Sequence, residues 1–293
     1  MKFRPGFGRR VELMLACLSL CVGPALTASA KAHSGRQYPA LRSHSVYVLD
    51  ASNESVVLSR QSDVPMPIAS ITKLMTALVV LEAGQPLDEE VEITAEDRDP
   101  RGGESRLAVG TRLTRGDLMH LALMSSENRA AHALGRTYPG GLATCVHAMN
   151  LKARQLEMLN TRFVEPTGLS SENVASSEDL AKLVMAAAKV PTIQHYSTDR
   201  SYAVFVRRHA IEFRNTDSLV ANPTWTIIVQ KTGYIAEAGR CLVMNAIVEG
   251  RSVIIVLLDS AGKLSRIGDA QRIRRWLEER LAREALNAAI GKV

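Results

Sequence analysis

Cysteine is sparse in this chain, aromatic residues are sparse too, and several signatures are missing. Four cysteines in 293 residues exclude a small disulfide scaffold. Aromatic residues make up 4% and do not interleave with Lys and Arg, which argues against a nucleic-acid surface. No internal repeat and no low-complexity block occurs. No H-E-x-x-H or C-x-x-C and no Gly-bearing Asp cluster is present, so the seven histidines show no metal spacing. His120 and His132 are expected on or near buried helices, satisfied by neighbours. The absence of G-x-G-x-x-G after a strand, of a Walker loop and of a G-x-S-x-G elbow leaves nucleotide cofactors and the common hydrolase triad without support. No cofactor is expected.

What is present is ordinary globular composition, 46% hydrophobic and 23% charged, in a length that buries a sizeable core. Residues 1–30 have the form of a cleavable export signal. Lys2, Arg4, Arg9 and Arg10 precede an apolar stretch, and Ala28-Ser29-Ala30 offers small residues for cleavage. Glu12, Ser19, Gly23 and Pro24 interrupt the roughly 18 apolar residues that a membrane anchor needs. The apolar stretch before Cys17 is too short for a lipoprotein signal. Removing the segment takes away four Lys/Arg and one Glu, so the formal net charge of +6 falls to +3. That is too little to suggest nucleic acid as partner. Cys17 and Cys21 leave with the signal. Cys145 and Cys241 remain, open to two readings, a disulfide or two buried free thiols.

Residues 31–43 read as a polar linker, 44–286 as a single domain and 287–293 as a short tail. Ser45–Leu49 and Ser55–Leu58 read as a hairpin, and Ser70–Ala83 as a helix stopped by Gly84. Thr114 with Asp117, and Ser176 with Asp179, have the spacing of capping boxes. The first opens an apolar helix, Leu118–Met124, and the second a helix closed by Pro191. A further helix follows Gly140-Gly141 and ends near Met158. Ser201–Arg207, Trp225–Gln230, Cys241–Val248 and Ser252–Leu258 read as strands, and Asp269–Leu286 as a final helix with Ile273, Trp276, Leu277 and Leu281 on its apolar face. Strands, helices, strands and a helix in that order predict an α+β fold. Its central antiparallel sheet is assembled from both chain ends around an inserted helical subdomain.

Three short motifs carry the chemistry: Ser70-Ile71-Thr72-Lys73, Ser126-Glu127-Asn128 and Lys231-Thr232-Gly233. Taken singly they are weak, for Ser260–Lys263 is a second S-x-x-K and Ser171–Asn173 a second S-x-N. Order and context single them out. Only the first S-x-x-K opens an apolar helix, only the first S-x-N follows a buried helix, and K-T-G ends an apolar strand. Positions i and i+3 of a helix are neighbours, so Lys73 can take the Ser70 hydroxyl proton once burial and the nearby Lys231 make it neutral. Ser126 could relay that proton to a leaving amine, and Asn128 could orient Lys73 and a substrate amide. Lys231 and Thr232 would hold a carboxylate. Gly233 would let a substrate lie along the strand edge.

With these motifs in this order the chain resembles the low-molecular-mass penicillin-binding proteins, the serine D-alanyl-D-alanine peptidases. Within them it is most similar to the D-alanyl-D-alanine endopeptidases. The likeness extends through Pro67–Leu81, Leu121–Ala131, Tyr138–Gly141, Asn160–Ser170, Phe213–Thr216 and Lys231–Met244. It implies the β-lactamase/transpeptidase-like fold, helices on both faces of the sheet, and a site between sheet and subdomain. It implies Ser70 as acyl-enzyme nucleophile, Lys73 as base, Ser126 and Asn128 in support, and Lys231 to Gly233 binding substrate. It also implies an oxyanion hole from the amides of Ser70 and Tyr234. The implied partners are peptidoglycan stem peptides and cross-links, and β-lactams that acylate Ser70. Only a few residues follow the last helix, so no C-terminal membrane anchor is expected, and the periplasm is the expected compartment. The alternatives are a D-alanyl-D-alanine carboxypeptidase, a class A-type β-lactamase and a quiet wall-binding protein. The β-lactamase would need an Asn four residues after Glu165, where Leu169 stands. The quiet protein would have lost a motif residue, and none is missing.

Overall fold

The computed structural model describes residues 38–99, 105–206 and 209–290. The export segment 1–30 and most of the 31–43 linker therefore lie outside the described residues, as do Arg207 and the terminal 291–293. Among the described residues the strands are β1 (Ser43–Asp50), β2 (Ser55–Arg60), β3 (Met66–Pro67), β4 (Glu90–Glu92), β5 (Arg112–Thr114), β6 (Val174–Ala175), β7 (Ser201–Val206), β8 (His209–Arg214), β9 (Thr226–Ile235), β10 (Gly239–Val248) and β11 (Arg251–Ser260). The helices are α1 (Thr72–Glu82), α2 (Arg115–Met124), α3 (Asn128–Arg136), α4 (Gly141–Gln155), α5 (Ser177–Ala187), α6 (Pro191–Thr198) and α7 (Ser265–Ile290).

The central sheet has the order β2-β1-β11-β10-β9, antiparallel throughout. Both chain ends thus meet in it, as the element order predicts. Its inner strands are apolar on both faces. On β10, Leu242, Met244, Ala246 and Val248 pack toward Ile273 and Leu277 of α7, while Cys241 and Val243 join the core of the helical side. On β11, Val253, Ile255 and Leu257 alternate with Ile254, Val256 and Leu258 in the same way. A sheet covered on both faces needs such continuous apolar runs, which is why these strands stand out in the sequence.

The helical side is built around α1. Thr72 through Val80 are all buried, so this helix has no polar face and runs through the core. Gly84, at φ +69°, ends it. Thr114 and Asp117 form a complete capping box at the start of α2. At α5 only one half forms. Ser176 accepts from the Asp179 amide, but the Asp179 carboxylate turns to the Asn160 amide and the Thr161 hydroxyl. Pro191 does not close α5, which ends at Ala187. It stands at the first position of α6, where its missing N–H is harmless. The alternating segment from Ser201 does not join the central sheet and pairs with β8 in a separate hairpin. The last helix starts at Ser265 and continues to Ile290, past the expected boundary at 286. Ser43 belongs to β1 rather than to a linker, because Asp269 of α7 accepts from the Arg42 and Ser43 amides and the Ser43 hydroxyl. Cys145 and Cys241 are buried free thiols, which decides between the two readings. No described helix is long and apolar enough to cross a membrane.

Candidate active site

Ser70 lies in a 3₁₀ turn, Ala69–Ile71, that runs into α1. N–H groups in the first turn of a helix have no intrahelical acceptor. The turn is strained, for Ala69 sits at φ +48°, a region costing a non-glycine residue about 1–2 kcal/mol. Gly168 holds it there: a Cβ on Gly168 would lie 1.9 Å from the Ala69 carbonyl oxygen. The loop around Gly168 is gathered by Glu165. One carboxylate oxygen accepts from the Thr167 amide and hydroxyl at 2.6 Å each. The other accepts from the Gly168 amide at 2.6 Å and Asn173 Nδ2 at 2.8 Å.

Lys73 is the junction. It is 1% exposed, and its Nζ lies 2.7 Å from Ser70 Oγ, 2.8 Å from Asn128 Oδ1 and 2.6 Å from the Thr167 carbonyl oxygen. Two of these partners can only accept. A neutral amine has two N–H donors and one lone pair, so its donors go to Asn128 and Thr167 and its lone pair faces the Ser70 hydroxyl. Burial brings the Lys73 pKa down to about 8, against the charges of Glu165 and Glu127, which hold it up. Lys231 is fully buried, and burial together with the charge of Lys73 lowers its pKa well below the usual range. The repulsion between the two lysines thus weighs on Lys231; at Lys73 burial lowers the pKa, and the expected contribution of Lys231 is not among its causes.

The second motif follows α2. Ser126 has φ +62°, and its hydroxyl makes no hydrogen bond among the described residues. A serine held in a left-handed conformation with a free hydroxyl is a candidate for chemistry. Asn128 opens α3, whose N-cap is Glu127, accepting from the Arg129 amide and the Ser105 hydroxyl. The third motif lies on β9, the outer strand of the sheet. Gly233 is also required by the protein's own packing. A Cβ there would come 2.9 Å from the Ile68 carbonyl oxygen and 3.2 Å from the Ser70 amide nitrogen, so glycine lets β9 close on the nucleophile turn itself. Tyr234 is 57% exposed, its ring under the Arg240 guanidinium. A cleft of about 640 Å³ opens beside Asn128, between Asp99 and the loop carrying Thr167, Leu169 and Ser170. That volume lies in the range of small-ligand pockets.

The structure thus joins Ser70, Lys73 and Asn128 by direct contact and sets Lys231 and Gly233 beside them. The second motif matches turn out to be structural. Ser260 pairs with Ser43 at a strand end, and Asn173 is buried, tying the Val164 amide to Glu165. The Thr167 carbonyl, Glu165 as loop anchor and Thr216 lie in segments that carry the resemblance but belong to none of the three motifs. His120 and His132 are held by neighbours as expected. His120 stacks between Tyr196 and Tyr202 with Nε2 3.0 Å from Asp199, and His132 bonds Asp97.

A sequence profile of the family described as D-alanyl-D-alanine carboxypeptidase matches residues 31–262. A D-alanyl-D-alanine endopeptidase of Pseudomonas aeruginosa is 46% identical over 274 residues, 92% of this chain and 88% of that protein. One of Escherichia coli is 42% identical over the same share of both. The crystal structure of the Streptomyces K15 DD-transpeptidase superposes with a TM-score of 0.76 at 26% identity, covering 81% of this chain and 97% of that one.

Proposed function

The chain belongs to the D-alanyl-D-alanine carboxypeptidase family, and from that premise we propose that it is a serine D,D-endopeptidase opening D-alanyl cross-links in peptidoglycan. The observation that carries the reaction is the Lys73 junction, a buried amine 2.7 Å from Ser70 Oγ with two carbonyl acceptors behind it. Neutral Lys73 takes the Ser70 proton as Oγ attacks the D-alanyl carbonyl carbon. The amides of Ser70 and Tyr234 receive the developing oxyanion. The C–N bond breaks, and the leaving amine takes a proton through the Ser126 hydroxyl. Water then attacks the Ser70 ester, gives its proton to Lys73, and releases the D-alanyl carboxylic acid with Ser70 restored. Lys231 and Thr232 hold the carboxylate of the leaving residue. β-Lactams carry a matching carbonyl and carboxylate and acylate Ser70. The export segment supports action in the periplasm.

Endopeptidase rather than carboxypeptidase action is supported by the two relatives of that name at 46% and 42% identity. Glu165 does not support the β-lactamase alternative, since its carboxylate is taken up by the loop donors and has no Asn four residues on. The test uses residues 31–293 and a purified cross-linked muropeptide dimer followed by mass spectrometry. Conversion of dimer to two monomers, absent in Ser70→Ala, is expected. Loss of one terminal D-alanine from an otherwise intact dimer would assign carboxypeptidase action instead.

A further inference from the structure

Asn215, Thr216 and Asp217, which hold no catalytic motif, connect two of the three that do. Asn215 Nδ2 donates to the Ser197 and Asp199 carbonyls at the end of α6, and its Oδ1 accepts from Gln230 Nε2 on β9. The Thr216 amide donates to the Met124 carbonyl, two residues before Ser126, at 3.1 Å. The Thr216 hydroxyl then meets the Thr232 hydroxyl at 2.6 Å.

We infer that Thr216 is a positioning residue that donates its proton to Thr232 and so turns the single Thr232 proton toward the substrate carboxylate. The inference rests on the reading above that Thr232 receives a carboxylate. Proton count decides the direction of this bond. A hydroxyl has one donor and two acceptor sites. Two arrangements satisfy the 2.6 Å contact. In the first, Thr232 donates to Thr216, and Thr216 donates to the Met124 carbonyl. That second bond is 3.5 Å long, outside the roughly 2.5–3.0 Å span of hydroxyl hydrogen bonds. In the second, Thr216 donates to Thr232, whose own proton is free. A carboxylate at the site settles the choice. It accepts only, and a charge-assisted bond is about twice as strong as a neutral one, far stronger than a stretched contact to Met124. Donation by Thr216 also polarises the Thr232 hydroxyl and strengthens its outward bond. Asn215 and the Met124 carbonyl fix the backbone from which this is done, so the Thr216 hydroxyl cannot drift from β9.

The test compares Ser70 acylation by benzylpenicillin with acylation by benzylpenicillin methyl ester, which has no carboxylate to receive the Thr232 proton. Thr216→Val removes the hydroxyl while keeping the shape, Thr216→Ala removes it without adding a methyl, and Thr216→Ser keeps it. The second-order acylation constant for the free acid should fall by about tenfold or more in Thr216→Val and Thr216→Ala. That for the ester should stay within about twofold in both, and Thr216→Ser should match the unmodified chain with both compounds. Equal losses with acid and ester, or no loss with either, would overturn the role of Thr216. Failure of the free acid to label Ser70 in the unmodified chain would overturn the site reading itself, and the inference with it.

Discussion

At Lys73 the chemistry depends on one proton. Its pKa of about 8 follows from burial, partly offset by Glu165 and Glu127. A base must be unprotonated, so the competent fraction falls as pH drops below that value. The rate of Ser70 acylation by a β-lactam should therefore fall about tenfold per pH unit below about 8 and level off above it, as stopped-flow acylation across pH 6–10 would show. Lys73→Arg keeps the charge but does not release the proton, and should abolish acylation at every pH in that range while the fold persists. The main groups were legible in the sequence because Ser, Lys and Asn act through side chains at fixed spacings from local structure. The Thr167 carbonyl was not, since every residue has one and only the fold aims it. Thr216 was hidden for a related reason. It lies in a loop and its partner lies 16 residues away on β9, and no local spacing announces the pair.

Elements bring these residues into register, and glycine marks where two of them nearly touch. A Cβ on Gly233 would press on the Ile68 carbonyl and the Ala69 side chain at 2.9 and 3.1 Å. Gly233→Ala should push β9 from the nucleophile turn and slow acylation by tenfold or more, with far-ultraviolet circular dichroism unchanged. Gly168→Ala meets both a φ of +82° and a contact of 1.9 Å with the Ala69 carbonyl. It should destabilise by more than the about 1–2 kcal/mol of the backbone conformation alone, read as a fall in Tm. That glycine would matter at K-T-G was legible, but not what fills the space. The protein's own nucleophile turn packs against Gly233. Elsewhere helix and strand types were readable where periodicity is strong, as in α1, α2 and β9 to β11. Pro191 misled because a proline fits a helix start as well as a stop, and β8 was missed because only Phe213 on it is fully buried, with Ile211 partly so, too few apolar positions to mark a strand.

In the whole molecule, the central sheet is closed by chain segments more than 200 residues apart. β1 lies between β2 and β11, and Asp269 of α7 pins its start through the Arg42 amide, the Ser43 amide and the Ser43 hydroxyl. The assembly of the sheet from both ends was legible because the apolar runs stand at both ends with helical periodicity between them. The clamp was not, since an Asp on a helix and a Ser before a strand look like surface residues until they meet. Burial raises the Asp269 carboxyl, but the bonds from Ser43, Arg42 and Arg272 outweigh it and lower the pKa overall. A carboxylate so lowered stabilises the fold above its unfolded pKa of about 4, and that contribution is lost as pH falls below it. Asp97 adds to the same dependence, held at about 2 against burial by His132, Arg136 and the Thr94 amide. The distal part of α7 is different, for residues 282–290 are exposed and cover no core. Deleting 283–293 should therefore change Tm by no more than about 2 °C. Asp269→Ala strands buried donors at the junction of the two chain ends and should cost about 2–3 kcal/mol. That loss should shrink as pH is lowered from 7 toward 3, where the unmodified clamp is itself being protonated. Ser70 acylation per folded molecule should be unchanged in both variants, because the clamp closes the sheet at β1 while the chemistry sits against β9.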